Sequence, residues 1–115
     1  MKPVIAESVY NRLQNLAHPL AAHLNENLSK AKVVKDHSVE KNTITLNSVV
    51  DYIHEPGTRP IRIQIVLPEY ENINQRKISV LAPICQALLG YKEYDLIKAK
   101  TPYGEKKIRI LKVQN

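Results

Sequence analysis

The sequence predicts an α+β fold: a short N-terminal antiparallel helical hairpin followed by a small antiparallel sheet with one helix. Two observations carry this. Apolar residues recur at helical spacing up to about Lys35 and at strand-like alternation from Thr43 onward. Within the second stretch, one segment opens on Pro83 and closes on Gly90, the order in which helices start and stop.

Taken in order, Ile5, Val9, Leu13 and Leu16 lie four, four and three apart, one face of a helix. The residue before a proline avoids helical backbone, so His18-Pro19 is expected to end that helix near Ala17 or His18. Pro19 suits the first turn of a second helix with the stripe Leu20, Leu24, Leu28 and Ala31. Two such helices joined by a tight turn make a hairpin. Helices of about twelve residues are marginal alone, so the hairpin must pack on something. Val33 to Asn42 is polar and reads as a linker.

From Thr43, Ile44, Leu46, Val49, Val50, Tyr52 and Ile53 are strand formers. Glu55-Pro56-Gly57-Thr58 is a turn. Ile61, Ile63, Ile65 and Leu67 give the inward face of a half-buried antiparallel strand. Pro68 to Lys77 is a polar loop, and Ile78 to Leu81 a short strand. Ala82-Pro83 opens a helix with Ile84, Ala87 and Leu88 on its buried face, and Gly90 stops it. Leu96 to Lys100 is a strand and Pro102-Tyr103-Gly104-Glu105 a turn. Ile108, Ile110 and Val113 line the last strand. The chain therefore divides into residues 1–40, hairpin and linker, and residues 41–115, the sheet domain.

With 115 residues, 43% apolar and 24% charged, the chain can bury a modest core and is not composed like a disordered segment. It has no Phe or Trp, so Val, Ile and Leu must carry the packing. One Cys excludes a disulfide framework and a multi-cysteine zinc site, and fits a reducing cytoplasm. No apolar run approaches a membrane span, and MKPVIAESVYNR lacks the apolar centre of a signal peptide. A cytoplasmic location is expected.

Catalytic chemistry finds little footing. His18, His23, His37 and His54 stand outside any metal-ligand spacing. Cys85, inside the predicted helix, reads as a buried small hydrophobe. Ser48 and Ser79 lack a nucleophile-elbow setting, and Gly57, Gly90 and Gly104 are isolated. No catalytic residue, metal or cofactor is expected.

The formal charge is +6, and the excess lies late: residues 1–40 hold five basic groups against four acidic, residues 41–115 twelve against seven. Lysines and Arg109 after Tyr91, interleaved with Tyr91, Tyr94 and Tyr103, have a composition used for single-stranded nucleic acid. Glu93, Asp95 and Glu105 sit among them, so direct nucleic-acid binding is not expected. Electrostatic steering toward an acidic protein through Lys106, Lys107 and Arg109 is.

The run Ile78-Ser79-Val80-Leu81-Ala82-Pro83-Ile84 through Ala87-Leu88-Leu89-Gly90, with Thr101-Pro102-Tyr103-Gly104-Glu105 and the opening Thr43 to Val50, resembles the C-terminal domain of the Gre transcript-cleavage factors. The likeness spans roughly Thr43 to Val113. It implies an FKBP-like fold, an antiparallel sheet curled around one helix. Within the family, Leu46-Asn47-Ser48-Val49-Val50 behind a short hairpin is similar to the short members called regulator of nucleoside diphosphate kinase (Rnk).

Gre factors carry a long coiled-coil finger that enters the secondary channel of RNA polymerase, where acidic residues at its tip help hold a catalytic magnesium. Here residues 1–40 stand in that place, and the turn Ala17-His18-Pro19 has no carboxylate, whereas magnesium takes oxygen ligands. The resemblance thus implies a non-catalytic modulator that binds bacterial RNA polymerase near the secondary channel, without transcript cleavage. The family's docking surface, carried over, falls on Ser79, Val80, Leu81, Ala82, Pro83 and Ile84. Ala82 and Pro83 are expected at the surface, Ile84 and Leu88 in the core. Prolyl isomerase activity, which an FKBP-like shape suggests, needs an aromatic-lined pocket that a chain without Phe or Trp does not supply. Two other readings stay open: a regulator of nucleotide metabolism acting on a kinase or other enzyme, and a small basic nucleic-acid-binding module. Monomer and dimer are both compatible with the sequence.

Overall fold

A computed structural model describes residues 2–16, 28–101 and 104–115. Among these residues, seven strands and two α-helices run in the order β1 (Val4–Ala6), α1 (Glu7–Gln14), β2 (Lys32–Val34), β3 (Val49–Glu55), β4 (Ile61–Val66), β5 (Lys77–Ser79), α2 (Pro83–Leu88), β6 (Leu96–Thr101) and β7 (Gly104–Gln114).

At the N-terminus, Ile5 lies in β1 and not in the first helix, although it is buried as the apolar stripe requires. The helix begins one residue after Ala6, which offers no side-chain cap. Asp36, in a 3-10 turn at Asp36–Ser38, fills that need from outside the helix: its Oδ1 accepts the Ser8 N–H at 3.1 Å. Hydrogen bonds from Ser8 hold the Asp36 carboxyl below its usual range. The helix stops at Gln14, earlier than the expected Ala17 or His18, because Asn15 leaves helical geometry and Leu16 N–H closes tightly on Leu13 C=O. Leu13 is fully buried. The expected second hairpin helix, from Pro19 with its stripe to Ala31, lies outside the described residues up to residue 27. Leu28, at the end of that expected stripe, is buried, and Ala31 packs against the core.

The expected linker contains a strand. Val33-Val34 is a β-branched pair, and β2 pairs in parallel with β1, Val4 to Lys32 through Ala6 to Val34.

The main sheet has the order β5-β4-β3-β7-β6. Its neighbours are antiparallel except at one edge, where β5 runs parallel to β4. The loop after β4 forms two 3-10 turns, Pro68–Tyr70 and Ile73–Gln75, and crosses over so that β5 starts in the same sense as β4. Ile63 and Ile65 point inward as expected, and Val66 is buried too, on the opposite side of the strand. In β7, Ile108 and Ile110 alternate inward, then Val113 follows three residues later. A β-bulge explains the change of step: Tyr52 pairs with Ile110 but Asp51 with Lys112, so one extra residue is absorbed and the core face is kept.

The helix α2 buries Cys85 and Leu88 against the sheet, with Ile84 and Ala87 half-buried. The apolar cluster is continuous from Ile5, Leu13 and Leu28 through Ile44 and Leu88 to Ile110 and Val113, so it bridges the expected division near residue 40. Gly90 is where the parts meet. Its N–H donates to Ile44 C=O at 2.9 Å and its C=O accepts Val4 N–H at 2.9 Å. Its backbone is left-handed, with φ +88°, and a β-carbon there would stand 2.7 Å from Pro3 Cβ and 2.9 Å from Val4 N.

Candidate docking corner and basic sheet face

The six residues singled out by the sequence form the corner where β5 passes into α2. Ser79 anchors it. Its N–H donates to Glu71 Oε2 at 3.0 Å, its hydroxyl accepts Leu81 N–H at 3.1 Å, and its C=O accepts Ala82 N–H at 2.9 Å. Val80 N–H extends the pairing to Val66 C=O at 2.7 Å, and Gln86 Nε2 reaches back to Leu81 C=O at 2.9 Å. Pro83 at the first helical turn loses no hydrogen bond and presets the helical φ.

These bonds decide which side chains leave the core. Ser79, Val80 and Leu81 are 8%, 0% and 7% exposed and shape the corner from within. Pro83 is exposed, and Ala82 and Ile84 are half-buried, so the corner shows solvent an apolar tip of three residues. Tyr70 and Ile73, 63% and 64% exposed on the β4–β5 crossover, were not among the candidates. Their signal was two large apolar residues in an otherwise polar loop. Glu71, between them, ties that loop to Ser79.

Cys85 is fully buried with its Sγ 3.7 Å from Ile78 C=O. Burial, with a smaller push from the Glu71 charge, raises its thiol to about 12, so it is protonated and unreactive at neutral pH. Among the described residues no three His, Cys, Asp or Glu side chains gather as a metal site would need, and no helix is long and apolar enough to cross a membrane.

Lys106, Lys107 and Arg109 are all exposed on β7. Strand alternation separates them: Lys107 and Arg109 share the outer face of the sheet, and Lys106 points to the other side. Arg109 Nε meets Glu55 Oε1 at 2.7 Å, and on β4 Arg62 Nε meets Asp51 Oδ1 at 2.7 Å. The hydrogen bond from Arg62 holds the Asp51 carboxyl below the usual carboxylate range.

Fold and corner together define a class: a small α+β domain that presents a preorganised strand-to-helix corner. Comparison with known proteins places it more closely. The family described as "Transcription elongation factor, GreA/GreB, C-term" matches residues 39–115. The chain belongs to that family. Among curated relatives, the transcription elongation factor GreA of Orientia tsutsugamushi (strain Ikeda) is 35% identical over 79% of this chain and 57% of its own length. That of Alkalilimnicola ehrlichii is 32% identical over 76% of this chain and 56% of its own. The chain thus spans little more than half the length of these relatives. Among solved structures, a prokaryotic transcription elongation factor GreA/GreB from Nitrosomonas europaea superposes with a TM-score of 0.73 at 29% identity, covering 100% of this chain and 99% of that one. GreA factor homolog 1 of Thermus thermophilus shares the fold, with a TM-score of 0.51 at 20% identity over 100% of both chains.

Proposed function

We propose that this chain is a Gre-like transcription modulator that docks on bacterial RNA polymerase near the secondary channel through the β5–α2 corner, and that it has no transcript-cleavage chemistry. Family membership supports the partner. One observation supports the surface: Pro83 stands exposed at the tip of a corner whose backbone is already tied by Ser79, Glu71 and Gln86. An apolar tip held this way needs little ordering on binding. Ala82, Pro83 and Ile84 make the contact, and Ser79, Val80 and Leu81 hold them in place. The non-catalytic part of the reading rests on Ala17-His18-Pro19, which offers no carboxylate where the hairpin turn is expected. The FKBP-like curl of the sheet, the short hairpin and a cytoplasmic site of action belong to the same reading.

The test is retention of the protein on immobilised core polymerase, wild type beside Pro83→Asn. Asn is tolerated at a helix start, so the fold should persist by circular dichroism. Truncating an interface anchor costs about 2 kcal/mol, so retention should fall more than tenfold. Equal retention of a folded Pro83→Asn protein would sink the corner as docking surface. Stimulated cleavage of stalled transcripts by the wild type would sink the non-catalytic reading.

A further inference from the structure

Register partners on neighbouring strands share a face. On the outer face, away from the core, Lys98 of β6 lies opposite Lys107 of β7. The next outward residue of β7, Arg109, lies between Leu96 and Ile53. Beyond the bulge, Lys112 lies against Asp51, and Asp51 against Arg62 of β4. Lys77 of β5 closes the row beside Gln64. Strands stand about 4.8 Å apart and alternate residues about 6.6 Å apart, so these side chains make one cationic band about 19 Å wide, from edge strand to edge strand.

Two of the carboxylates on that face are engaged: Asp51 and Glu55, the latter the register partner of Lys107 on β3, are held by Arg62 and Arg109. Glu105 lies at the far end of the β6–β7 hairpin. Among the described residues, Lys98, Lys107, Lys112 and Lys77 form no ion pair. Like charges directly opposite each other in a sheet destabilise it. Lys98 and Lys107 are such a pair, and a bound anion would relieve their repulsion.

We propose that this outer sheet face is a track for the phosphodiester backbone of single-stranded RNA. The face carries no aromatic side chain among its described register positions; its apolar residues Val49, Ile53 and Leu111 are half-buried, and Leu96, 38% exposed, stands on the edge strand. It therefore lacks the aromatic anchors that dominate protein interfaces, while repeated cations suffice for a nucleic-acid backbone. A flexible single strand can follow a twisted sheet of this width, which a stiff duplex cannot. The choice of RNA rests on the proposed function in transcription; the charge geometry does not. Of the three acids that speak against nucleic acid in the sequence, Glu93 and Asp95 sit in the turn before β6, where Asp95 Oδ2 accepts Lys92 N–H at 2.8 Å, and Glu105 lies at the far end of the β6–β7 hairpin, two residues from Lys107.

The test is fluorescence anisotropy of an unstructured, labelled 12-nucleotide RNA titrated with the intact chain at 25–200 mM salt. No polymerase is present, so its outcome is separate from that of the docking test. With about four phosphates engaged, the logarithm of affinity should fall with the logarithm of salt at a slope of about −3. Lys98→Gln/Lys107→Gln should weaken binding about tenfold at low salt and make the slope shallower by about 1.4, and Lys32→Gln/Lys35→Gln should change neither. Absence of binding at 25 mM salt, equal losses in the two double variants, or tighter binding of the matching DNA would overturn the proposal. So would a result in which RNA fails to bind while polymerase affinity loses its salt dependence in Lys98→Gln/Lys107→Gln; that outcome assigns the face to an acidic protein surface.

Discussion

Replacing Gly90 by Ala tests how the N-terminal strands are joined to the sheet domain. The added β-carbon meets Pro3 Cβ at 2.7 Å, Val4 N at 2.9 Å and Val4 O at 3.1 Å. Two of those neighbours are backbone atoms and cannot swing aside. A left-handed backbone at a residue with a β-carbon costs about 1–2 kcal/mol. Moving the Pro3-Val4 segment away sacrifices the hydrogen bond from Val4 N–H to Gly90 C=O, a further 0.5–1.5 kcal/mol or about that. The smaller entropy of the unfolded alanine chain returns about 0.4–1 kcal/mol. The net expectation is a loss of about 2 kcal/mol. Urea unfolding should show it as a midpoint lowered by about 1 M. Hydrogen exchange should show faster exchange at Val4, with protection kept at Ile108 and Ile110. Adding Pro3→Gly relieves the side-chain contact but not the Val4 contact, so rescue should be partial. A loss below about 0.5 kcal/mol with Val4 still protected would refute the close approach as the reason for a glycine here.

Two more predictions follow from the charged and buried groups. The Cys85 thiol, raised to about 12 by burial, should resist a thiol reagent at pH 8 in the native protein and react at once in denaturant; rapid native labelling would contradict the buried placement. Asp51, whose pKa is lowered by Arg62, adds stability that is present above its unfolded value of 3.8 and lost as pH falls through the lower folded value. Arg62 is mostly exposed, so the pair is worth only about 0.2–1 kcal/mol. Asp51→Asn should remove that part of the acid dependence below about pH 4 and leave stability at low pH unchanged, measured as urea midpoint against pH.

Much of the sheet was legible because local chemistry and tertiary role agree. Ile63 and Ile65 alternate with polar neighbours and are buried, and the span from Pro83 to Gly90 holds a helix with a left-handed glycine just beyond it. Cys85 was readable as core for the same reason. What local pattern does not encode is direction and distant pairing. Nothing in Lys77-Ile78-Ser79 tells that β5 runs parallel to β4. Ile5 sits four residues before Val9, which suits a helix, yet its backbone pairs with Val33 far along the chain. The docking corner was located by its motif, but which of its six side chains face solvent depended on the hydrogen bond that Glu71 accepts from Ser79 N–H and the one that Gln86 donates to Leu81 C=O. The cationic band was invisible for a different reason. Its members come from four strands, and only the register, including the bulge beside Asp51, puts Lys112 and Arg62 in one row with Asp51.

The continuous core has a practical consequence for anyone who would use the sheet domain as a free-standing module. The family match begins at residue 39, an inviting place to cut. Ile5, Leu13 and Leu28, each nearly inaccessible in the intact chain, pack with Ile44 and Leu88 across that boundary. A fragment of residues 39–115 would expose the apolar ground those three side chains cover. The cut would also strip the partner from the Gly90 carbonyl. Such a surface favours self-association, so the fragment would precipitate or dimerise through a face that the whole chain never shows.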